Sequence, residues 1–416
     1  MRKTAGGANA PLIPEIGVVA LVPDFWNAQW QPRHQVLVRL ARFFEVVWIN
    51  PPHQRNEIFL KLKNFAGNSA QETPADGFTV YTPEAWAPLI FRPQWLGDLT
   101  FGWRLRTARR ILARKNCRKI ILYIWRPEFY RALSFFSHDL SFYHIDDEYS
   151  FSSVEVPIDA SEYRLLKEVD HVFIHSPGLL EKKGGINAST SFVPNGVDYE
   201  LYSRNHPEPT DLAPISRPRI GYAGWLKRQL DWVLLIQLAK KHPEWSFVFV
   251  GGCSPHSEIE GFIKEISSLP NGYFLGSKTT EQLAAYPQHF DVCIMPYTVD
   301  AYTKYIYPLK LHEYLASGTP TVGTAIRALA EFGHVVGLAR SLHEWCSMLT
   351  EALSPASNTP GQCSVRRKVA QSHDWHCLVT KVARTMVSKL DPEYAERIDN
   401  LVGNEPSLET NPTSGS

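Results

Sequence analysis

Short runs of Val, Ile, Phe and Tyr recur along the chain, bounded by polar or turn residues and separated by helix-like stretches. In the first half they are IGVVALV from Ile16, EVVWIN from Glu45, KIILYI from Lys119, SFYHI from Ser141 and HVFIH from His171. In the second half they are RIGYAG from Arg219, SFVFVG from Ser246, DVCIMP from Asp291 and TPTVG from Thr319. Unbroken apolar strands alternating with helices predict parallel sheets covered on both faces, hence doubly wound, Rossmann-like α/β domains. SRNHPEPTDLAPISRP, Ser203 to Pro218, is rich in Pro and polar residues and reads as a linker. The pattern therefore predicts one domain over 16–202 and a second over 219–365. Beyond about Asn358 the strand pattern gives way to a helical stretch around Trp375, over 366–390. Residues 1–15 and 403–416 are read as disordered ends; NEPSLETNPTSGS lacks apolar periodicity.

One helix carries both its boundaries and its chemistry in the sequence. In PLKLHEYLASG, Pro308 suits the first helical position and Gly318 the left-handed position past the end, with Pro320 barring continuation. Lys310 and Glu313 stand one turn apart. A lysine at a helix N-terminus suits a phosphate, and a carboxylate one turn deeper can accept two hydrogen bonds from a ribose diol. The alternative is an i,i+3 salt bridge on a solvated face, which contributes only about 0.2–0.5 kcal/mol. Two details favour the binding reading. The pair runs against the favourable orientation for the helix dipole, and Leu309, Leu311, Tyr314 and Leu315 leave little of the helix exposed.

Composition removes several other classes. The formal net charge is +1, so any attraction to nucleic acid or membrane must be local, and no recognised nucleic-acid motif occurs. The six cysteines are scattered, with no CxxC pair, which fits a reducing compartment and argues against structural zinc. No apolar run approaches the roughly 20 residues that span a bilayer. MRKTAGGANAPLIP has no apolar core of a signal peptide, so a cytoplasmic location is expected. The segment 92–119 is strongly basic: Arg92, Arg104, Arg106, Arg109, Arg110, Arg114, Lys115, Arg118 and Lys119 stand against Asp98. Phe101, Leu105, Ala108 and Leu112 recur there at helical spacing. A basic amphipathic helix of this kind can lie in an anionic headgroup layer; the alternative is a helix packed on the first sheet with its charges solvated.

Two further stretches bear candidate chemistry. In Gly224-Trp225-Leu226-Lys227-Arg228, a strand end leads toward a helix; Gly224 admits close backbone approach, and Lys227 or Arg228 supplies charge for a phosphate. A plain strand–helix turn with solvated cations is the competing reading. YHIDDEYSF, Tyr143 to Phe151, runs from a strand end into Asp146-Asp147-Glu148. That triplet reads as an acidic first turn of a helix, as a Mg²⁺ site, or as the source of a general base.

RIGYAGWLKRQLDWVLL, PNGVDYELY at Pro194 and DVCIMPY…YPLKLHEYLASGTPTV together resemble the GT-B glycosyltransferases, over about residues 16–385. The likeness is to bacterial cell-surface polysaccharide enzymes of the teichuronic-acid and xanthan glucuronosyltransferase type. It implies two Rossmann-like domains facing across a cleft, with a last helix crossing back to the first domain. It also implies a nucleoside-diphosphate sugar held by the second domain through Gly224, Lys227, Arg228, Tyr297, Lys310 and Glu313. A glycan or glycolipid acceptor is expected on the first domain, touched by Trp30, His34 and Gln35. The resemblance places Asp147 on the acceptor base, with inversion of the transferred sugar. Neither cofactor nor metal is expected, and His144 is expected to be structural. Retaining relatives carry a Glu where Tyr305 stands and an Arg where Trp225 stands. A GT-B nucleotide-sugar epimerase and an inactive binding subunit are the alternatives.

Overall fold

The computed structural model describes residues 10–52, 70–84, 86–88, 94–150, 156–253 and 258–403. Residues 1–9 and 404–416 of the expected disordered ends lie outside these, as do Arg92 and Phe151. The last helix, Pro392–Gly403, continues to the residue where disorder was expected to begin.

The first domain is built on strands β1 (Ile16–Leu21), β2 (Glu45–Ile49), β3 (Ala70–Ala75), β4 (Phe78–Thr82), β5 (Lys119–Ile124), β6 (Leu140–Ile145), β7 (His171–Ile174) and β8 (Thr190–Phe192). Their order is β3-β4-β2-β1-β5-β6-β7-β8, parallel except for β3, which pairs antiparallel with β4. The second holds β9 (Arg219–Ala223), β10 (Ser246–Val250), β11 (Gly272–Phe274), β12 (Val292–Met295), β13 (Thr321–Thr324) and β14 (Gly337–Ala339), all parallel, in the order β11-β10-β9-β12-β13-β14. Strands β3, β4, β8, β11 and β14 were not read from the sequence. β3 is polar (AQETPA), β4 (FTVYT) is a five-residue run interrupted by two threonines, and the other three are only three residues long and none is fully buried, so none carries a long apolar run.

In each sheet the chain starts in the middle, winds one way, then returns to wind the other. The reversal falls between β1 and β5 in the first sheet and between β9 and β12 in the second. At such a point two neighbouring loops diverge beyond the strand ends and leave a crevice for ligand.

The segment 203–218 is no free linker: Leu212 and Ile215 are buried in the second core. The stretch 366–390 is two helices rather than one. Pro360–Gln371 packs on the helix Leu309–Ser317, the chain crosses at 372–374, and Trp375–Ser388 buries Leu378, Val379, Val382 and Met386 in the first domain. At the crossing, Val197 N donates to the His373 carbonyl at 3.0 Å and Trp375 N to the Val197 carbonyl at 2.9 Å. Gly196 permits this approach, since a Cβ there would stand 2.7 Å from the His373 oxygen.

The helix Gln94–Arg114 corrects one expectation. Leu105, Ala108 and Leu112 are fully buried against the first sheet, so the face expected to meet lipid is inside the domain. Arg104 is buried too, donating to the Ala87 carbonyl at 3.2 Å, and burial lowers its pKa to about 10. A helix adjoining an uncovered sheet face buries its apolar stripe there, because that contact is intramolecular.

Candidate active site

The second-domain crevice is shaped by two glycines. Gly224, after β9, has φ +152° and Gly251, after β10, has φ +146°. A Cβ on Gly251 would stand 1.9 Å from the Gly224 oxygen, and one on Gly224 would stand 2.0 Å from Cε of Lys310. Lys310 thus lies directly on the end of β9. Its helix is fixed there by Tyr314, whose hydroxyl accepts from Ala223 N at 2.9 Å. Gly318 takes the expected left-handed cap at φ 84°, whereas Pro308 is the residue before the helix, its ψ of 125° being extended.

Lys310 Nζ lies 2.8 Å from Glu313 Oε2, both side chains largely buried, so without ligand the two form the i,i+3 pair. Burial and the Glu313 carboxylate raise the Tyr202 hydroxyl well above its ordinary pKa, placing Tyr202 beside the pair. Lys227 lies 5.8 Å over the Tyr297 ring. Burial lowers its pKa, the neighbouring Lys310 lowers it further, and Asp147 acts the other way. Two lysines and one carboxylate from the opposite domain therefore share this crevice. Tyr297 is buried beneath Lys227. Arg228 is on the rim, exposed and 3.9 Å from Glu258.

Across the cleft, the acidic triplet diverges. Asp146 turns into the β1/β5 crevice and binds Arg33, which also binds Asp24. Burial alone would raise the Asp146 carboxyl, but Arg33 and the Tyr149 hydroxyl hold it below its usual range. Glu148 turns into the domain and meets Lys182 at 3.2 Å and Lys183 at 3.0 Å. Asp147 alone faces the second domain: its Oδ1 accepts from Glu148 N at 2.8 Å and from the Tyr302 hydroxyl at 3.1 Å. The three carboxylates do not converge, and among the described residues no group of three His, Cys, Asp or Glu side chains could hold a metal ion.

The loop between β12 and the helix Leu309–Ser317 reaches across to the first domain. Besides Tyr302, it carries Tyr305, buried in a first-domain cluster with Lys182 5.1 Å from its ring centre. Gly178 admits the loop, because a Cβ there would stand 2.4 Å from the Lys304 oxygen. Asn195 Nδ2 donates to the Tyr307 carbonyl at 2.8 Å. Tyr305 therefore serves domain contact. Trp225 is half exposed and leans against Gly252, where a Cβ would be 3.1 Å from its ring.

The proposed acceptor-side trio separates. Trp30 is exposed and stacks on His34 at 5.8 Å. His34 is wholly buried, its Nδ1 accepting from Gln31 N at 3.1 Å and its Nε2 facing the Phe25 carbonyl. It fixes the loop before its helix, so its expected contact with an acceptor is corrected. Gln35 is half-buried and accepts from Arg39. His144 stacks on Trp125 at 4.2 Å and meets the Tyr123 hydroxyl at 2.6 Å, and burial lowers its pKa to about 3. Arg33, Arg126, Tyr149, His175 and Tyr302 were not read from the sequence. Arg33 and Asp146 are 113 positions apart, and no local pattern pairs them.

Residues 217–348 match the family model described as glycosyl transferases group 1. A Bacillus subtilis (strain 168) protein described as a teichuronic acid biosynthesis glycosyltransferase, TuaH, is 28% identical over 239 residues, covering 55% of this chain and 59% of that relative's length. Sucrose-phosphate synthase from Thermosynechococcus elongatus is similar in structure, with a TM-score of 0.69 at 16% identity, over 91% of this chain and 99% of that one. Anabaena HepE, solved with UDP and glucose, gives 0.64 at 14% identity over 89% of this chain and 99% of its own. The chain has the GT-B fold, and its second domain matches the group 1 glycosyltransferases over residues 217–348.

Proposed function

We propose that the protein is a glycosyltransferase that moves a sugar from a nucleoside-diphosphate donor to a hydroxyl of a cell-envelope or exopolysaccharide acceptor. One observation carries this reading: Lys227 and Lys310 converge at the second-sheet crevice while Asp147 faces them from the first domain. Bond cleavage at the anomeric carbon leaves charge on the diphosphate. Lys310 at the helix start and Lys227 beside it meet that charge where it develops, so no metal is required for this step. Glu313 exchanges its bond to Lys310 for the ribose hydroxyls of the donor. Asp147 takes the proton of the acceptor hydroxyl, which attacks opposite the diphosphate and inverts the anomeric centre. HepE's complex with UDP and the teichuronic-acid relative support the donor and acceptor classes.

The test is mass spectrometry of products from an array of nucleotide sugars and lipid-linked glycans, with EDTA in parallel. Acceptor-dependent product formed in EDTA is expected. Turnover of a nucleotide sugar without acceptor would mean an epimerase; turnover lost in EDTA and restored by Mg²⁺ would remove the lysine-only account.

Among the described residues no helix is long and apolar enough to cross a membrane. A peripheral site on an anionic inner surface suits a lipid-linked acceptor. The supporting surface is the outer face of the helix Gln94–Arg114, where Trp95 and Leu99 are 63% and 54% exposed. Trp103 follows one turn on, packed on exposed Trp86 at 5.1 Å and beneath Arg110, with Arg106 and Arg109 exposed alongside. The acid on this helix, Asp98, is paired with Arg131. Sedimentation with phosphatidylglycerol vesicles should show binding that salt weakens and that the combined variant Trp95→Ala, Leu99→Ala, Arg106→Glu, Arg110→Glu abolishes. Binding untouched by that variant would exclude this face.

A further inference from the structure

The first-domain crevice holds a cation that the transfer reaction, as derived, does not use. Arg126 follows β5, at the strand end where the first sheet reverses direction, and so opens onto the crevice between β1 and β5. Its guanidinium lies 4.5 Å from the centre of the Tyr149 ring. Tyr149 is itself fixed, its hydroxyl donating to Asp146 and, at 3.2 Å, to the Trp125 carbonyl.

The neighbouring charges are already matched. Arg33 binds Asp24 and Asp146, while Lys182 and Lys183 bind Glu148, and Lys183 also Glu162. Asp146 feels the field of Arg126, but Arg33 and the Tyr149 hydroxyl take its oxygens. Among the described residues Arg126 meets no acidic oxygen and no hydrogen-bond acceptor, and its Nε is buried without a partner. A buried N–H left without an acceptor is unfavourable, so a ligand that supplies one gains affinity there. Stacking on an aromatic face holds a guanidinium flat and leaves its in-plane N–H edge open for two-pronged binding of a carboxylate or phosphate.

We infer that Arg126 binds an oxyanion of the acceptor, so that the acceptor is a charged molecule bearing a phosphate or a sugar carboxylate near the hydroxyl that reacts. The inference rests on the glycosyltransferase reading above. The charge belongs to the acceptor and not the donor because Arg126 and Asp147 both follow neighbouring strands, β5 and β6, of the first sheet, whereas the donor's diphosphate falls to Lys227 and Lys310 on the second domain. A phosphate would come from a lipid diphosphate carrier; a carboxylate would come from a uronic acid in the glycan.

Calorimetric titration of the full-length protein saturated with UDP distinguishes these sources. The probes are farnesyl diphosphate, methyl glucuronide and the uncharged methyl glucoside. Wild type is expected to bind one of the two anions at least tenfold more tightly than the glucoside, and the anion bound names the source. Arg126→Gln should lose that preference while keeping its UDP affinity and its melting temperature. Arg126→Lys, which keeps charge without the flat fork, should retain part of it. Wild type that binds neither anion, or Arg126→Gln that binds the anion unchanged, overturns the inference and leaves the donor site standing. A fall of UDP affinity and melting temperature together in Arg126→Gln would make the residue structural and also overturn it. Failure of wild type to bind UDP at all would instead strike the donor reading beneath it.

Discussion

Asp147 accepts a hydrogen bond from the Tyr302 hydroxyl, so the proposed base is held by the domain proposed to carry the donor. Asp147→Asn should reduce transfer by about 10²–10⁴-fold, the usual cost of losing a placed general base. UDP affinity should be unchanged, because the residue acts on the acceptor. Tyr302→Phe should slow single-turnover transfer several-fold without changing the protein's melting temperature; an unaltered rate would show the contact to be incidental. Lys227 gives a pH signature. Its pKa is lowered by burial and by Lys310, so in the free protein it loses its proton at lower pH than an ordinary lysine. UDP affinity should therefore weaken as pH rises, starting below the ordinary lysine value of about 10.4. Lys227→Met should bind more weakly throughout and lack that limb, which titration calorimetry from pH 7 to 10 would show.

At the scale of the element, the helix Leu309–Ser317 is held at both ends by contacts from distant segments. Its last carbonyls are capped by cations: Arg366 Nε donates to the Gly318 carbonyl at 2.8 Å and Arg367 Nη2 to the Ser317 carbonyl at 3.1 Å. Positive charge at a helix C-terminus is favourable, the more so when partly buried. At the other end, the loop from Tyr297 to Tyr307 grips the first domain through Tyr305. Tyr305→Ala should loosen this grip without unfolding either core. Hydrogen exchange should rise in the loop and in the helix Pro177–Lys183, while β9 and β12 keep their protection. Equal protection everywhere would mean that the loop docks by other contacts.

For the whole molecule, acid should act on the first domain before the second. Burial lowers the pKa of His34, His144, His171 and His175 there, with His144 at about 3 and His171 at about 4, and of His312 in the second domain. An unfolded histidine titrates near pH 6.5. Between the folded and unfolded values the unfolded chain binds more protons, so stability is whole above about pH 6.5 and falls as the medium is acidified. Each such histidine then contributes a loss of about 1.4 kcal/mol per pH unit within its window. Calorimetric melting between pH 7.5 and 5 should show the earlier transition moving down most, and His144→Phe should flatten its dependence. A transition temperature independent of pH would contradict neutral burial of these rings.

The sequence by itself determined what depends on neighbours along the chain. Apolar runs specify strands because both faces of each sheet are covered, and nine such runs predicted β1, β2, β5, β6 and β7 of the first sheet and β9, β10, β12 and β13 of the second. Pro308 and Gly318 bracket one helix because they act on backbone angles at single positions, and one helical turn puts Lys310 and Glu313 on the same face. Only the tertiary structure decided which distant groups meet. Arg33 finds Asp146 and Lys227 comes beside Lys310 because strand ends from separate parts of the chain share one edge of a sheet, and Tyr302 finds Asp147 because its loop crosses from the second domain to the first. It also decided that the apolar stripe of Gln94–Arg114 lies inside, that His34 is a buried prop and that the acidic triplet points three ways. An apolar or charged side chain has the same local pattern whether protein, ligand or solvent covers it. What covers it is settled by packing.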